Sequence, residues 1–126
     1  REQKDVAQKI RELQIKTSGM GQPVSELSGG NQQKVVFAKA LLSNPRIFLC
    51  DEPTQAVDVK TREEIHNLLR KYVSEGSAVV FVTSDLKEML EVADNIVILS
   101  GGRTKEFFAN KNVTAEQVLG CCYAEN

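Results

Sequence analysis

The chain has 126 residues and a formal net charge of −1, with 41% hydrophobic and 26% charged residues. That length suits one compact domain, and the absence of a basic excess argues against a nucleic-acid partner. The longest apolar runs, residues 47–50 and 78–82, fall far short of the ~20 residues of a membrane span, and nothing has the layout of a signal peptide.

A soluble protein, free to dock on a membrane protein, fits these constraints. Three cysteines and one histidine make a poor zinc ligand set, and scarce, unpatterned cysteine suits a reducing, cytosolic setting. Cys50 lies inside an apolar run and reads as a buried free thiol.

Residues 2–14 carry Val6, Ile10 and Leu13 at helical spacing, which predicts an amphipathic helix. Lys4, Lys9 and Arg11 read as its solvated face. Residues 17–25, with Gly19, Gly21 and Pro23, read as a loop. A second helix starts near Ser28, runs through Val35, Val36, Ala38 and Leu42, and stops at Asn44-Pro45.

Residues 47–50 form a short all-apolar run, the pattern of a strand buried on both faces in a parallel sheet. The next helix carries the core stripe Ile65, Leu68, Leu69 and Tyr72 and ends at Gly76. Its start is open: Thr61 with Glu64 makes a capping box, and Asp58 suits an earlier cap. His66, mid-helix, reads as an ordinary surface or half-buried histidine.

Residues 78–82 form a second buried strand. Asp85 and Glu88 cap a short helix to Val92. Residues 95–99 and 103–108 make a hairpin through Gly101-Gly102, and Thr114 with Gln117 caps a last helix. Buried strands alternating with helices predict an α/β layered domain.

Two stretches carry chemistry. In Leu27-Ser28-Gly29-Gly30-Asn31-Gln32-Gln33-Lys34 a serine and two glycines open a helix. First-turn amides lack intrahelical partners, the helix dipole adds partial positive charge, and glycines let an anion approach. A plain N-cap with a flexible lead-in is the competing reading. In Ile47-Phe48-Leu49-Cys50-Asp51-Glu52-Pro53-Thr54 two carboxylates leave the C-terminal end of a strand, the edge where open α/β sheets place ligands. One carboxylate there can hold Mg²⁺ through water, and the next can orient or deprotonate an attacking water. Acidic residues and proline also end strands without any such role.

In this order the two stretches resemble the ATP-binding-cassette (ABC) family. Residues 27–31 look like its signature motif and residues 47–52 like its Walker B strand. Ala56-Val57-Asp58 sits where the D-loop would be, and Thr83-Ser84-Asp85 at the switch position. Asn31-Gln32-Gln33-Lys34, Thr54 to Val59 and Thr83-Ser84-Asp85-Leu86 are similar to the second cassette of importers for ribose, galactose or xylose. The family usually has Arg-Gly where this chain has Gln55-Ala56, and histidine where it has Ser84.

The resemblance implies a P-loop NTPase fold of mostly parallel buried strands with flanking helices. Residues 1–45 would close the helical subdomain and residues 46–126 would be the C-terminal part of the ATPase core. No Gly-Lys dipeptide occurs, so no Walker A loop is present and a truncated chain is expected, inactive by itself.

It also implies ATP and Mg²⁺ as cofactors. Ser28, Gly29, Gly30 and Asn31 would grip the γ-phosphate of ATP on a partner cassette, with Asp58 crossing the interface. Asp51 would serve Mg²⁺, with Glu52 as base and Ser84 at the switch. The expected partners are a second cassette, transmembrane permease subunits and, indirectly, a periplasmic sugar-binding protein, with the ATPase on the cytoplasmic face of the membrane. The competing functional expectation is a non-catalytic cassette half that donates only its signature and interface.

Overall fold

The computed structural model describes residues 2–123. They form two compact units, Arg1–Val80 and Phe81–Asn126, divided within a strand.

In the first unit α1 (Glu2–Glu12) stops sooner than its apolar spacing suggests. Gln14 turns to φ 50°, its N–H donates to Arg11 O at 3.1 Å, and Ile15 N–H donates to Ile10 O at 3.0 Å. This is a Schellman closure built on glutamine instead of the usual glycine. Helix α1 buries no residue of its own, whereas Leu13 and Ile15 beyond its end are buried. Lys9 is not a plain solvated residue: it is half-buried, and its Nζ donates to Glu12 Oε2 at 2.8 Å and Tyr72 Oη at 3.2 Å.

A single 3₁₀ turn, Val24–Glu26, lies at the end of the expected loop. Helix α2 (Gly29–Leu41) then buries Lys34, Phe37, Ala38 and Leu41. Asn44, left-handed at φ 48°, precedes Pro45 and breaks the chain away.

Strands β1 (Ile47–Asp51) and β2 (Ala78–Val82) pair in a two-stranded parallel sheet. Helix α3 (Val59–Ser74) is the crossover between them. Asp58 is its N-cap, accepting from Thr61 N–H at 2.7 Å, which settles the open choice in favour of the earlier start. The stripe Ile65, Leu68, Leu69 and Tyr72 is buried as expected. Gly76, at φ 97°, lets Ser77 N–H reach back to Tyr72 O at 3.1 Å, the glycine form of the closure seen after α1.

The strands are composed for burial on both faces, yet they expose apolar surface, and β1 alternates: Phe48 and Cys50 are buried while Ile47 and Leu49 are 64% and 75% exposed. Phe37 of α2 covers the inner face, its ring 5.7 Å from that of Phe48. Among the described residues the outer face of β1 is left bare, and β2 is nowhere fully buried. An all-apolar run specifies apolar neighbours on both sides but cannot supply them.

In the second unit α4 (Leu86–Val92) is capped by Asp85, which accepts from Glu88 N–H at 3.0 Å. Strands β3 (Asn95–Ser100) and β4 (Arg103–Ala109) pair antiparallel across Gly101 and Gly102. Both glycines have positive φ, 58° and 72°, as a type I′ turn requires. Helix α5 (Ala115–Tyr123) opens with a reciprocal capping box: Gln117 N–H to Thr114 Oγ1 at 3.2 Å and Thr114 N–H to Gln117 Oε1 at 2.9 Å. Ile96, Ile98 and Val118 form the core, with Met89, Leu90 and Phe108 packed on it. Asn110 closes α4, its Nδ2 donating to Leu90 O and Ala93 O, both at 2.8 Å.

Candidate functional site

The motif Ser28-Gly29-Gly30-Asn31 forms the N-terminal turn of α2. Ser28 is extended (φ −60°, ψ 155°) and exposed, the geometry of an N-cap. Its Oγ accepts from Asn31 Nδ2 at 2.8 Å and, at longer range, from Asn31 N–H at 3.4 Å. Asn31 Oδ1 in turn accepts from Lys16 N–H at 2.9 Å. Asn31 therefore braces Ser28 with one of its two amide hydrogens.

The two glycines do different things. A Cβ on Gly29 would meet nothing within 4 Å, so backbone can be approached there. A Cβ on Gly30 would stand 2.9 Å from Thr61 Oγ1, so Gly30 is where α2 presses on the first turn of α3. One turn further, the buried Lys34 ammonium pairs with Glu64 of α3 and donates to Gln14 O at 3.3 Å.

Asp51, exposed, ends β1, and Glu52 follows, half-buried, with φ 45°. Ala56, at φ 60°, is left-handed as well. Such a conformation costs a non-glycine residue about 1–2 kcal/mol, so surrounding contacts must hold both. Pro53 and Thr54 between them are buried. Backbone bonds from Gln55 N–H to Glu52 O (3.2 Å) and Val57 N–H to Thr54 O (3.4 Å) fold the segment. Gln33 of α2 donates its Nε2 to Pro53 O at 2.7 Å. The segment ends at Asp58, where the backbone and side chain of Thr61 hold the carboxyl below the usual carboxylate range.

Ser28, Asn31, Lys34, Asp58 and Thr61 share one hollow of about 490 Å³, with Lys16 and Lys60 at its lining. The signature-like turn and the D-loop-like cap thus meet on one surface. Asp51 lines a different hollow with Gln33 and Pro53. A lone exposed carboxylate suits a cation held largely by water and a substrate's phosphates, not an all-protein cage. Among the described residues no three His, Cys, Asp or Glu side chains gather into a metal-holding group.

Ser84 belongs to the second unit and is exposed on the turn between β2 and α4. Its neighbours fix that turn: Thr83 Oγ1 accepts from Asp85 N–H at 3.0 Å and lies 3.1 Å from Glu88 Oε2, to which it donates. Sequence reasoning missed Gln33, Thr61 and the buried Glu88 as supports. Thr61, three residues before Glu64, and Glu88, three residues after a cap, carry capping signals but none for the contacts they make here, and Gln33 carries no signal as a support.

The family described as ABC transporter matches residues 1–55. The xylose import ATP-binding proteins XylG of Escherichia coli (strain K12) and Shigella flexneri are each 41% identical over 118 residues, which is 94% of this chain and 23% of theirs. The chain therefore spans about a quarter of the length of the curated relatives it matches. Two solved structures are similar. One is the dimeric post-hydrolysis state of the ATP-binding cassette MJ0796 bound to ADP and Pi, with TM-score 0.76 and 32% identity over 87% of this chain and 47% of that one. The other is an inward-facing putative metal-chelate type ABC transporter, with TM-score 0.80 and 25% identity over 95% of this chain and 48% of that one.

Proposed function

The chain belongs to the ABC transporter ATPase family, and from that premise we propose that the intact protein hydrolyses ATP to drive sugar import. Residues 1–45 close its helical subdomain and residues 46–126 are the C-terminal part of its ATPase core. The xylose-import relatives, at 41% identity, support a sugar as the transported solute.

The carrying observation is that one compact unit holds both the Ser28-capped helix and the strand end bearing Asp51 and Glu52, in the order of the family's motifs. On this reading Ser28 and the first-turn amides of α2 stabilise the γ-phosphate of ATP held by a second cassette. Asp58, on the same hollow, reaches across that interface. Asp51 would hold the Mg²⁺ of the nucleotide, a cation that would draw off phosphate charge when bound. Glu52 orients the attacking water and takes its proton.

The partners are a second cassette, the transmembrane permease and, through it, a periplasmic sugar-binding protein, with the ATPase on the cytoplasmic face. Among the described residues no helix is long and apolar enough to cross a membrane.

A second reading is favoured by Ser84 in place of the family's histidine. Serine is shorter and uncharged, so this cassette serves mainly the partner's ATP and its own site is weak. Steady-state hydrolysis by the assembled transporter separates the two. Glu52→Gln costing about a hundredfold or more, alongside a large loss from Ser28→Arg, supports two working sites. A loss below about tenfold from Glu52→Gln, with Ser28→Arg still inactivating, supports the donor-only reading. Full activity in Ser28→Arg removes both.

A further inference from the structure

The geometry points to Gln33 as a positioning residue for Glu52, tying the helix that serves one ATP to the base that serves the other. The inference rests on the reading of Glu52 as base.

Glu52 is left-handed at φ 45°, and the next residue is a proline, which has no N–H to bond into the turn. Two backbone bonds that fold the turn are 3.2 and 3.4 Å. Gln33 Nε2 to Pro53 O is shorter than either, at 2.7 Å, and partly buried. Its direction is unambiguous, because a carbonyl can only accept and the amide nitrogen must face it. The bond acts on the residue directly after Glu52, where a small rotation swings the carboxylate.

Gln33 is itself fixed. The residues around it on α2 are pinned to α3, Gly30 by close contact with Thr61 and Lys34 by its ion pair with Glu64. A donor on a braced helix holds its acceptor more firmly than one on a loop. Ser28, at the head of the same helix, faces the partner's nucleotide on the proposed reading. Closure of that nucleotide onto α2 is then felt at Glu52 through one hydrogen bond.

The test is steady-state hydrolysis by the intact ATPase assembled with its permease, across ATP concentrations. The variants are Gln33→Met (same length, no donor), Gln33→Glu (an acceptor facing an acceptor) and Gln33→Lys (a donor restored). Each is made alone, and Gln33→Met is also combined with Glu52→Gln. Gln33→Met and Gln33→Glu are expected to lower kcat roughly tenfold to hundredfold, with KM for ATP nearly unchanged. Gln33→Lys recovers most of that loss.

In the Glu52→Gln background Gln33→Met costs nothing more, since there is no base left to position. A Gln33→Met loss as large in that background as in the wild type overturns the positioning role and leaves the base standing. Equal activity in the Lys and Glu variants overturns it too. Glu52→Gln with full turnover overturns the base assignment, and this inference with it.

Discussion

Asn31 presents its side-chain Nδ2 to Ser28 Oγ at 2.8 Å while its Oδ1 accepts the backbone N–H of Lys16 at 2.9 Å. The Lys16 amide can only donate, so it fixes which end of Asn31 faces Ser28. Ser28 Oγ is thereby an acceptor within the protein, and its own hydrogen is directed elsewhere. A hydroxyl so placed at an exposed helix start is a donor for an anion.

Asn31→Asp reverses this. The carboxylate still accepts from Lys16 but now also accepts the Ser28 hydrogen, turning it inward. If Ser28 faces the partner's nucleotide as proposed, ATP hydrolysis by the intact protein assembled with its permease should fall about tenfold or more, the scale of a lost hydrogen bond to a charged group. The double variant Ser28→Ala with Asn31→Asp should be no worse than Ser28→Ala. A double variant clearly worse would mean that the new charge, not the redirected hydroxyl, causes the loss.

Gly30→Ala and Gly29→Ala should separate cleanly in stability. The first drives a methyl to 2.9 Å from Thr61 Oγ1 and should cost about 1–3 kcal/mol by denaturant unfolding. Thr61→Ala in the same chain should recover part of it. The second meets open space and should be neutral or gain up to about 1 kcal/mol. Equal costs would disprove the close helix approach.

Asp58 links the start of α3 to pH. Its carboxyl is held below the usual range by the backbone and side chain of Thr61. A depressed folded pKa means the cap's contribution is complete above the unfolded value and is lost as pH falls through the folded one. The urea midpoint followed from about pH 6 to about pH 2 should fall less steeply in Asp58→Asn, which keeps an acceptor without the titration. Parallel curves would show that Asp58 contributes no pH dependence.

Cys50 should be inert in the folded chain. Burial pushes its thiol up to about 12, so the nucleophilic thiolate is scarce at neutral pH. A thiol reagent at neutral pH should find at most two of the three cysteines until denaturant is added. Because the folded value is raised, stability should also fall as pH rises above about 9, where the unfolded thiol ionises first.

The chain should self-associate with concentration. Leu49, Leu99 and Phe107 are all exposed, and two-stranded sheets leave backbone edges unpaired. Light scattering over a dilution series checks this, and Leu49→Lys should lower the associated fraction.

Much of the fold was legible locally. Ser28, Asp85 and Thr114 announced their helices because capping is a matter of three or four neighbouring residues. Gly76 and Gly101-Gly102 marked their turns because only glycine adopts positive φ freely. Gln14 and Ala56 gave no such mark: they hold left-handed conformations that their side chains disfavour. The motif residues of the candidate site were readable, but their supports were not. Gln33 and Pro53 lie 20 residues apart, and no spacing rule connects a helix amide to a distant carbonyl. Exposure of the outer face of β1 was legible in outline, since an all-apolar strand tells what it wants beside it, but which of its residues Phe37 would cover was not.

The paired left-handed residues Glu52 and Ala56 narrow what mutation can do to this segment. Position 56 can drift to glycine, asparagine or aspartate at little backbone cost, whereas valine, isoleucine or threonine there would clash with their own carbonyls. Position 52 is bounded more tightly, because a residue that relaxes the backbone would forfeit a carboxylate of the same length. On the proposed reading of Glu52 as base, diversity in a saturation library selected for transport should therefore collapse at 52 and at 56 spread mainly among alanine, glycine, asparagine and aspartate, while the exposed Gln55 beside it varies freely.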